Sequence, residues 1–205
     1  MLVANFPILN KISYFTGENN VSSSECAIVV YAGGLTGVRG IKKIIDALEF
    51  VQRKVELWLI GKWGSVEFAE SCQSSSGWKH VKYFGYVLLP EVYQYLRKAN
   101  IGIVTLLPEE NYLRALPTKA FEYMACGLPL VMSDFPYWRE IFGECAVFAD
   151  PENPRDIAKK IKYLIDNPHI AKELGQKGRY LVETKYNWEN ESKKLITLYK
   201  GITLN

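Results

Sequence analysis

The stretch LPTKAFEYMACGLPLVMSD, residues 116–134, decides the fold. Pro117 and Thr118 suit the first turn of a helix, and Gly127 suits its end. The spacing therefore predicts a helix that is followed by a buried strand over the apolar residues 128–132. A loop, a helix, a glycine stop and a buried strand in this order are typical of an α/β protein with a parallel sheet.

Two charged side chains, Lys119 and Glu122, lie inside this otherwise apolar helical segment. The start of a helix presents unpaired N–H groups and a partial positive charge, which favour an anion in front of it. The turn at 116–119, with an ammonium beside it, is therefore predicted to be a phosphate cradle. Glu122 is predicted to accept hydrogen bonds from sugar hydroxyls. An ordinary core helix with a surface Lys–Glu pair explains these residues equally well, so the rest of the chain has to decide.

The composition is that of an ordinary globular protein. Of the 205 residues, 48% are hydrophobic and 23% are charged, which excludes general disorder and suffices for one well-cored domain. The net charge is only +3, and the Lys and Arg residues are scattered along the chain. A nucleic-acid-binding surface needs a concentrated basic patch, so no nucleic acid partner is expected.

The sequence offers little for metal or acid–base chemistry. Its four cysteines are spaced too widely and irregularly for a zinc site, and they favour a reduced, cytoplasmic compartment. His80, at the predicted start of a strand, and His169, beside Pro168, lie in separate segments, so we expect no metal site and no shared acid–base site. No apolar run reaches membrane-spanning length and the first residues do not resemble a signal peptide, which also favours the cytoplasm.

Apolar runs and helical patterns alternate along the chain from residue 27. Six runs are predicted to be strands: 27–33, 57–61, 81–85, 101–106, 128–133 and 146–148. Three helices are predicted at the end, at 154–166, 169–183 and 188–201. The sequence thus predicts an α/β fold over residues 27–205, a doubly wound, six-stranded parallel Rossmann-like sheet with helices on both faces. Residues 1–26 are predicted to form a linker or N-terminal arm.

In parallel sheets of this kind, ligands bind beyond the carboxyl ends of the strands. Five loops are expected to meet there: 33–40, 61–63, 85–87, 107–119 and 133–137. The glycines of the first loop permit close approach of a phosphate, and Arg39 adds a fork of hydrogen-bond donors. Tight strand-to-helix turns alone also explain these glycines.

Other nucleotide-binding and nucleophilic sites lack their motifs. The glycines at 33, 34 and 37 fit neither the dinucleotide fingerprint nor the P-loop, which has a Lys and a Ser or Thr after its last glycine. No Gly-x-Ser-x-Gly elbow presents a nucleophile. A Rossmann dehydrogenase, a P-loop kinase and a serine hydrolase are therefore not supported.

A series of short motifs accompanies the stretch 116–134 along the chain: YAGGL at 31–35, RGI at 39–41, LIG at 59–61, VKYFGYV at 81–87, ANIGIV at 99–104, DP at 150–151 and YNWE at 186–189. Taken in this order, the motifs resemble the C-terminal, nucleotide-sugar-binding half of a GT-B glycosyltransferase of the glycosyltransferase family 4, or glycosyl transferases group 1, type. The resemblance covers residues 27–199 and is strongest at 116–134. Each motif is weak by itself, but the whole series at matching spacings is specific.

The resemblance implies roles for particular residues. Glu122 matches the second glutamate of the family's Glu-x7-Glu motif and is expected to bind the ribose hydroxyls. Arg39 matches the basic residue that holds the diphosphate, and the backbone N–H groups of Thr118 and Lys119 are expected to face the phosphates. The other implied donor-binding residues lie in the glycine turns and along the edge of the base: Gly33, Gly34, Gly61, Gly85, Tyr86 and Val87.

Two positions depart from the family's pattern. Arg114 stands where the first glutamate of the motif would fall, and Gly34 stands where the glycine turn usually carries a second basic residue. We therefore expect Arg114 or Lys119 to take over part of the contact with the diphosphate or the donor sugar.

The resemblance implies a retaining, metal-independent glycosyltransferase of the hexosyltransferase type, with a UDP-sugar or GDP-sugar as donor and no cofactor. Synthesis of a bacterial capsule, lipopolysaccharide or other glycan is the expected setting, with the full-length protein peripheral to the inner membrane. Two alternatives stay open. One is half of a nucleotide-sugar epimerase of the same architecture, and the other is a non-catalytic module that binds nucleotide or protein.

Members of this type have a second, N-terminal domain that binds the acceptor. Residues 3–7 resemble their interdomain linker, so we expect this chain to be the C-terminal half, to be inactive alone and to contain no certain catalytic residue. The helix predicted at 188–201 has more apolar surface than a terminal helix needs. Self-association of the chain is therefore expected.

Overall fold

The computed structural model describes residues 3–9 and 26–203. These residues form six strands, β1 Ala27–Ala32, β2 Val55–Ile60, β3 Val81–Gly85, β4 Ile101–Val104, β5 Leu130–Ser133 and β6 Ala146–Ala149. The helices are α1 Ile41–Ala47, α2 Val66–Gln73, α3 Leu89–Leu96, α4 Glu110–Leu113, α5 Thr118–Ala125, α6 Pro136–Phe142, α7 Pro154–Asp166, α8 Pro168–Thr184 and α9 Trp188–Thr203. Short 3-10 helices span Gly37–Arg39, Leu48–Phe50 and Ser76–His80.

The strands form one parallel sheet in the order β3-β2-β1-β4-β5-β6. Strand β1 pairs with β2 on one side and with β4 on the other, and every strand pair is parallel. The strand order therefore reverses at β1, and the loops that follow β1 and β4 diverge at the carboxyl edge. This is the position at which doubly wound sheets bind ligands. The predicted six-stranded parallel fold is confirmed.

Helices cover both faces of the sheet. Alternate residues of a strand face opposite sides, and in the buried strands both sets are apolar, so each face packs against helices. Val30 of β1 joins a cluster that includes Phe121 of α5 and Val182 of α8. Its neighbour Val29 joins the other cluster, with Ile41 of α1 and further residues of α1 and α7. Helix α5 is thus held against the sheet by its apolar face, and this contact fixes where its first turn lies.

The structure differs from the sequence prediction mainly beside the carboxyl edge. The predicted loop 107–119 contains the short helix α4, and the predicted loop 133–137 runs into α6. Pro136 at the first position and the fully buried Trp138 favour this helix. His80 ends a 3-10 helix and does not start a strand.

Residues 3–9, which the sequence assigns to a linker or arm, contact the domain. The ring of Phe6 lies 4.8 Å from that of Phe121 and 5.4 Å from that of Tyr186, measured between centroids. The backbone N–H of Ala4 donates to Glu191 of α9 at 3.1 Å. This segment is therefore part of the packed structure. Residues 1–2 and 10–25 of the predicted arm lie outside the described residues.

Candidate functional site

Lys119 begins the site because α5 places it at the carboxyl edge of the sheet. The helix starts at Thr118, and its N-cap, Pro117, provides no side-chain hydrogen bond to the first turn. The Lys119 ammonium donates to the phenolic oxygen of Tyr31 at 2.6 Å and lies 3.9 Å from the centroid of the same ring. Tyr31 thus holds a cation from a different element in front of β1.

Arg39 approaches the same place from the 3-10 helix that follows β1. A methyl group built on Gly33 would lie 2.7 Å from Lys119 Nζ and 3.4 Å from Arg39 Nη1. One built on Gly34 would lie 3.7 Å from Arg39 Nη1. The hydroxyls of Tyr31 and Tyr112 lie near the Arg39 guanidinium and raise its pKa, although burial acts in the opposite direction. Two cations therefore converge on the glycine turn.

The charge of this site is poorly balanced. Burial and, to a smaller extent, the charge of Arg39 lower the pKa of Lys119 to about 7, although Glu122 acts in the opposite direction. Burial raises the pKa of Glu122, although the charge of Lys119 lowers it. Burial also raises the pKa of Tyr31 to about 12, so the phenol stays neutral. The half-buried carboxylate of Glu122 acts on Lys119, whereas the charges of Lys119 and Arg39 repel each other, an arrangement that would favour an anion between them.

Gly61, which follows β2, has a structural reason to be glycine. Its φ is +146°, and a Cβ atom there would lie 1.8 Å from the carbonyl oxygen of Gly33. The Gly61 N–H donates to the carbonyl of Gly85 at 2.7 Å, and the Tyr83 hydroxyl donates to the carbonyl of Gly61 at 3.1 Å. The loops after β1, β2 and β3 are therefore tied together at one edge.

The loop after β3 is more open. Gly85 has a φ of +69°, and the nearest atom to a Cβ built there is the Tyr83 hydroxyl at 4.0 Å. Tyr86 is exposed, and Lys62 Nζ lies 4.8 Å from the centroid of its ring. Val87 packs against the core. The edge of this loop leaves room for a flat group beside the backbone of Gly85.

The structure brings together some predicted site residues and leaves others at the periphery. Arg39, Lys119 and Glu122 form one electrostatic cluster with the glycine turn. Thr118 is exposed at the first position of α5, and Arg114 is exposed at the end of α4. Within residues 26–203, no described contact joins Arg114 to Arg39 or Lys119. Lys119, and not Arg114, is therefore the second cation beside Arg39.

The sequence does not identify Tyr31 or Tyr112 as a residue of the site. Tyr31 lies inside an apolar strand run and is fully buried, so its position indicated only a core side chain. Its hydroxyl points to the carboxyl edge because the strand ends one residue later, at Ala32. Tyr112 lies in a segment that was predicted as loop, and no pattern there signals a contact with Arg39.

No three His, Cys, Asp or Glu side chains of the described residues cluster as a metal site. Cys72, Cys126 and Cys145 are buried, and burial raises their pKa values to about 11, about 12 and about 12. These thiols are therefore held protonated and inert. Between residues 26 and 203, and in the segment 3–9, no helix has the length and apolar character needed to cross a bilayer.

The doubly wound parallel sheet, with a cationic glycine turn at its carboxyl edge, defines the class: a Rossmann-like α/β domain. The chain belongs to the glycosyl transferases group 1 family, whose sequence profile matches residues 26–167. An uncharacterised glycosyltransferase of Methanocaldococcus jannaschii is 26% identical over 78% of this chain and 44% of its own length. An MMP alpha-(1->4)-mannosyltransferase of Mycolicibacterium hassiacum is 24% identical over 84% of this chain and 42% of its own.

Solved structures share the fold. HepE of Anabaena, in complex with UDP and glucose, has a TM-score of 0.80 at 16% identity, over 98% of this chain and 56% of that one. A second match is the C-terminal domain of LpcC, a glycosyl transferase group 1 family protein of Francisella tularensis. It has a TM-score of 0.68 at 18% identity, over 89% of this chain and 96% of that one. The chain spans less than half of the length of the curated relatives that it matches.

Proposed function

We propose that this chain is the donor-binding domain of a retaining, metal-independent glycosyltransferase. Its donor is a UDP-linked or GDP-linked sugar, and its setting is the synthesis of a bacterial capsule, lipopolysaccharide or similar glycan. The observation that carries the proposal is the convergence of Arg39 and Lys119 on the glycine turn, where a methyl group on Gly33 would lie within 3.4 Å of both side chains. The complex of HepE with UDP and glucose supports a nucleotide-sugar ligand for this fold.

The diphosphate would occupy the space in front of Gly33 and Gly34. Arg39 offers a planar fork of donors and Lys119 a point charge, which together match the two charges of a diphosphate diester. The first turn of α5, which has no side-chain cap, adds its partial positive charge. A helix start and two cations fixed in advance require little rearrangement when the anion arrives.

The nucleoside would lie toward the outer strands of the sheet. Glu122 is half-buried one turn along α5 from the first residues of that helix, where its oxygens suit ribose hydroxyls. The base would lie along the open backbone of Gly85, Tyr86 and Val87, where backbone groups offer hydrogen bonds. This orientation carries the nucleotide from the glycine turn to the loop after β3.

In the transfer reaction, the bond between the sugar and the diphosphate breaks and negative charge grows on the departing phosphate. Arg39, Lys119 and the start of α5 would stabilise that charge at the moment of cleavage. Because two fixed cations supply this stabilisation, we propose that no divalent metal is required. The acceptor and the closed, water-excluding cleft belong to a second domain, so transfer is expected to need that domain.

The epimerase alternative is less well supported, because that chemistry needs acid–base groups in the cleft. His80 lies at the amino end of β3, at the edge of the sheet opposite the glycine turn. His169 is exposed near the start of α8. Neither histidine reaches the cations.

Calorimetric titration of the chain with UDP and with GDP tests the proposal, with and without a chelator. We expect binding of one nucleotide that survives the chelator and is weakened in Lys119→Met. Lys172→Met, which removes an exposed ammonium from α8, is the matched control and should bind as the unmodified chain does. Failure to bind either nucleotide would overturn the donor-binding role, and binding abolished by the chelator would overturn metal independence.

A further inference from the structure

The phenol of Tyr31 connects the glycine turn to the cation of α5. The side chain is fully buried at the end of β1, and its hydroxyl donates to the carbonyl oxygen of Gly34 at 3.1 Å. The same oxygen accepts from Lys119 Nζ at 2.6 Å, and the ring lies beneath the ammonium at 3.9 Å. One rigid side chain therefore orients both the backbone of the turn and the ammonium above it.

We infer that Tyr31 is a positioning residue of the phosphate site, which holds the Lys119 ammonium over Gly33 so that it meets the anion together with Arg39. This inference rests on the proposed donor binding. A free lysine side chain carries about 2 kcal/mol of rotamer entropy, which it loses when a ligand fixes it. Because Tyr31 restricts Lys119 beforehand, less of that loss falls on binding.

The arrangement matters because a cation of α5 acts where the turn has no basic side chain of its own. Gly34 cannot contribute charge, so the site has two cations only while Lys119 stays in place. An ammonium that swung into solvent would leave Arg39 alone with the anion. The hydroxyl of Tyr31 prevents this by a short hydrogen bond, and its ring adds a cation–π contact.

The protonation of Lys119 should report on this contact. The charged and titratable groups around it are Tyr31 of β1, Arg39 of the 3-10 helix, Tyr112 of α4, and Glu122 and Tyr123 of α5. Burial and Arg39 lower the pKa of Lys119 to about 7, so part of the population is neutral near that pH. The neutral Tyr31 oxygen accepts a hydrogen bond from the ammonium and thereby favours the charged form, which is the form that binds an anion.

Calorimetric titration with UDP and GDP compares the unmodified chain with Tyr31→Phe, which keeps the ring and removes the oxygen. We expect the affinity to fall about tenfold, as for the loss of one hydrogen bond to a charged group. Tyr123→Phe is the matched control, because it removes a buried phenol that accepts from the N–H of Ala32 at 2.7 Å. This control should lose stability but keep the affinity.

A pH series with UDP-glucose separates positioning from a merely structural effect, because a diphosphate diester lacks the second ionisation of a phosphate near about pH 6. Affinity of the unmodified chain should decline as the pH rises above 7, where Lys119 loses its proton. In Tyr31→Phe the decline should begin at a lower pH. In Lys119→Met the decline of affinity with rising pH should be absent. When Tyr31→Phe is combined with Lys119→Met, the affinity should fall by less than about a further twofold.

The outcomes are distinguishable. If the unmodified chain binds neither nucleotide, the proposed function fails. If it binds and Tyr31→Phe retains both the affinity and the pH series, the positioning role is overturned while donor binding stands. If Tyr31→Phe does not fold, Lys119→Met decides: a pH series that declines as in the unmodified chain would show that Lys119 is not the cation that binds the anion.

Discussion

A methyl group added to Gly33 would lie 2.7 Å from the ammonium nitrogen of Lys119, although the two residues are far apart in the chain. The turn after β1 and the first turn of α5 therefore share one small volume. Gly33 also has a φ of +139°, a conformation that side chains rarely adopt. The absence of a side chain at Gly33 is thus what gives the ammonium its position.

Gly33→Ala is expected to weaken nucleotide binding about tenfold, because the added methyl displaces a charge-assisted hydrogen-bond donor. Calorimetry with UDP and GDP measures the affinity, and thermal unfolding measures the accompanying strain. Gly37→Ala is the control in the same loop, since its methyl would lie 3.6 Å from Phe68, an ordinary contact. Equal losses of affinity in Gly33→Ala and Gly37→Ala would contradict the claim that a methyl group at Gly33 displaces the Lys119 ammonium.

Lys119→Met should stabilise the fold while it weakens binding. The pKa of Lys119 is lowered from 10.5 to about 7, so the unfolded chain binds more protons than the folded chain between these two pH values. The contribution of Lys119 to the free energy of unfolding therefore rises with pH across that window and is least favourable below pH 7.

At about pH 6, replacement of the partly buried ammonium by an apolar side chain should raise the free energy of unfolding by about 1 kcal/mol. Denaturant unfolding at about pH 6 and about pH 10 measures the effect, which should shrink at the higher pH. A loss of stability at the lower pH would show that the contacts with Tyr31 outweigh the cost of burying the charge.

Glu122→Gln is expected to weaken nucleotide binding by about 1–3 kcal/mol without unfolding the chain, because the amide accepts fewer and weaker hydrogen bonds from ribose hydroxyls. The charge of Glu122 raises the pKa of Lys119, so in Glu122→Gln this pKa should be lower. The decline of affinity with rising pH should therefore begin at a lower pH than in the unmodified chain. Glu70→Gln on the exposed side of α2 is the control. A sharp fall of the unfolding midpoint with unchanged affinity would make Glu122 a structural residue.

Helix α9 is expected to make the chain associate with itself, because Ile196 and Leu198 are 52% and 45% exposed. Ile196→Glu should lower the apparent mass in light scattering at high protein concentration. Thr197→Glu places the same charge on an exposed polar position of the same helix and should leave the mass unchanged. If the unmodified chain is a monodisperse monomer, the expectation of self-association through α9 is wrong.

The fold was predictable because the inner strands β1, β4 and β5 are largely buried on both faces and therefore appear as uninterrupted apolar runs. The same burial concealed Tyr31, since an aromatic residue in such a run resembles core whether or not its hydroxyl reaches the edge. Lys119 and Arg39 stood out because a cation beside a helix start or a glycine turn can meet an anion there, although a surface Lys–Glu pair explained Lys119 equally well. Whether Arg114 or Lys119 lies beside Arg39 depends on the path of the loop after β4, which no periodic pattern defines.

The ring of Phe6 packs against the rings of Phe121 and Tyr186, with centroid distances of 4.8 Å and 5.4 Å. Phe121 directly precedes Glu122 in α5, the helix whose first turn belongs to the proposed phosphate site. Because close-packed rings move between discrete arrangements and do not deform continuously, residues 3–9 cannot pull away without opening a void behind that helix. Residues 3–9 therefore support α5 from behind, and we expect a displacement of this segment to alter the proposed phosphate site at the first turn of that helix.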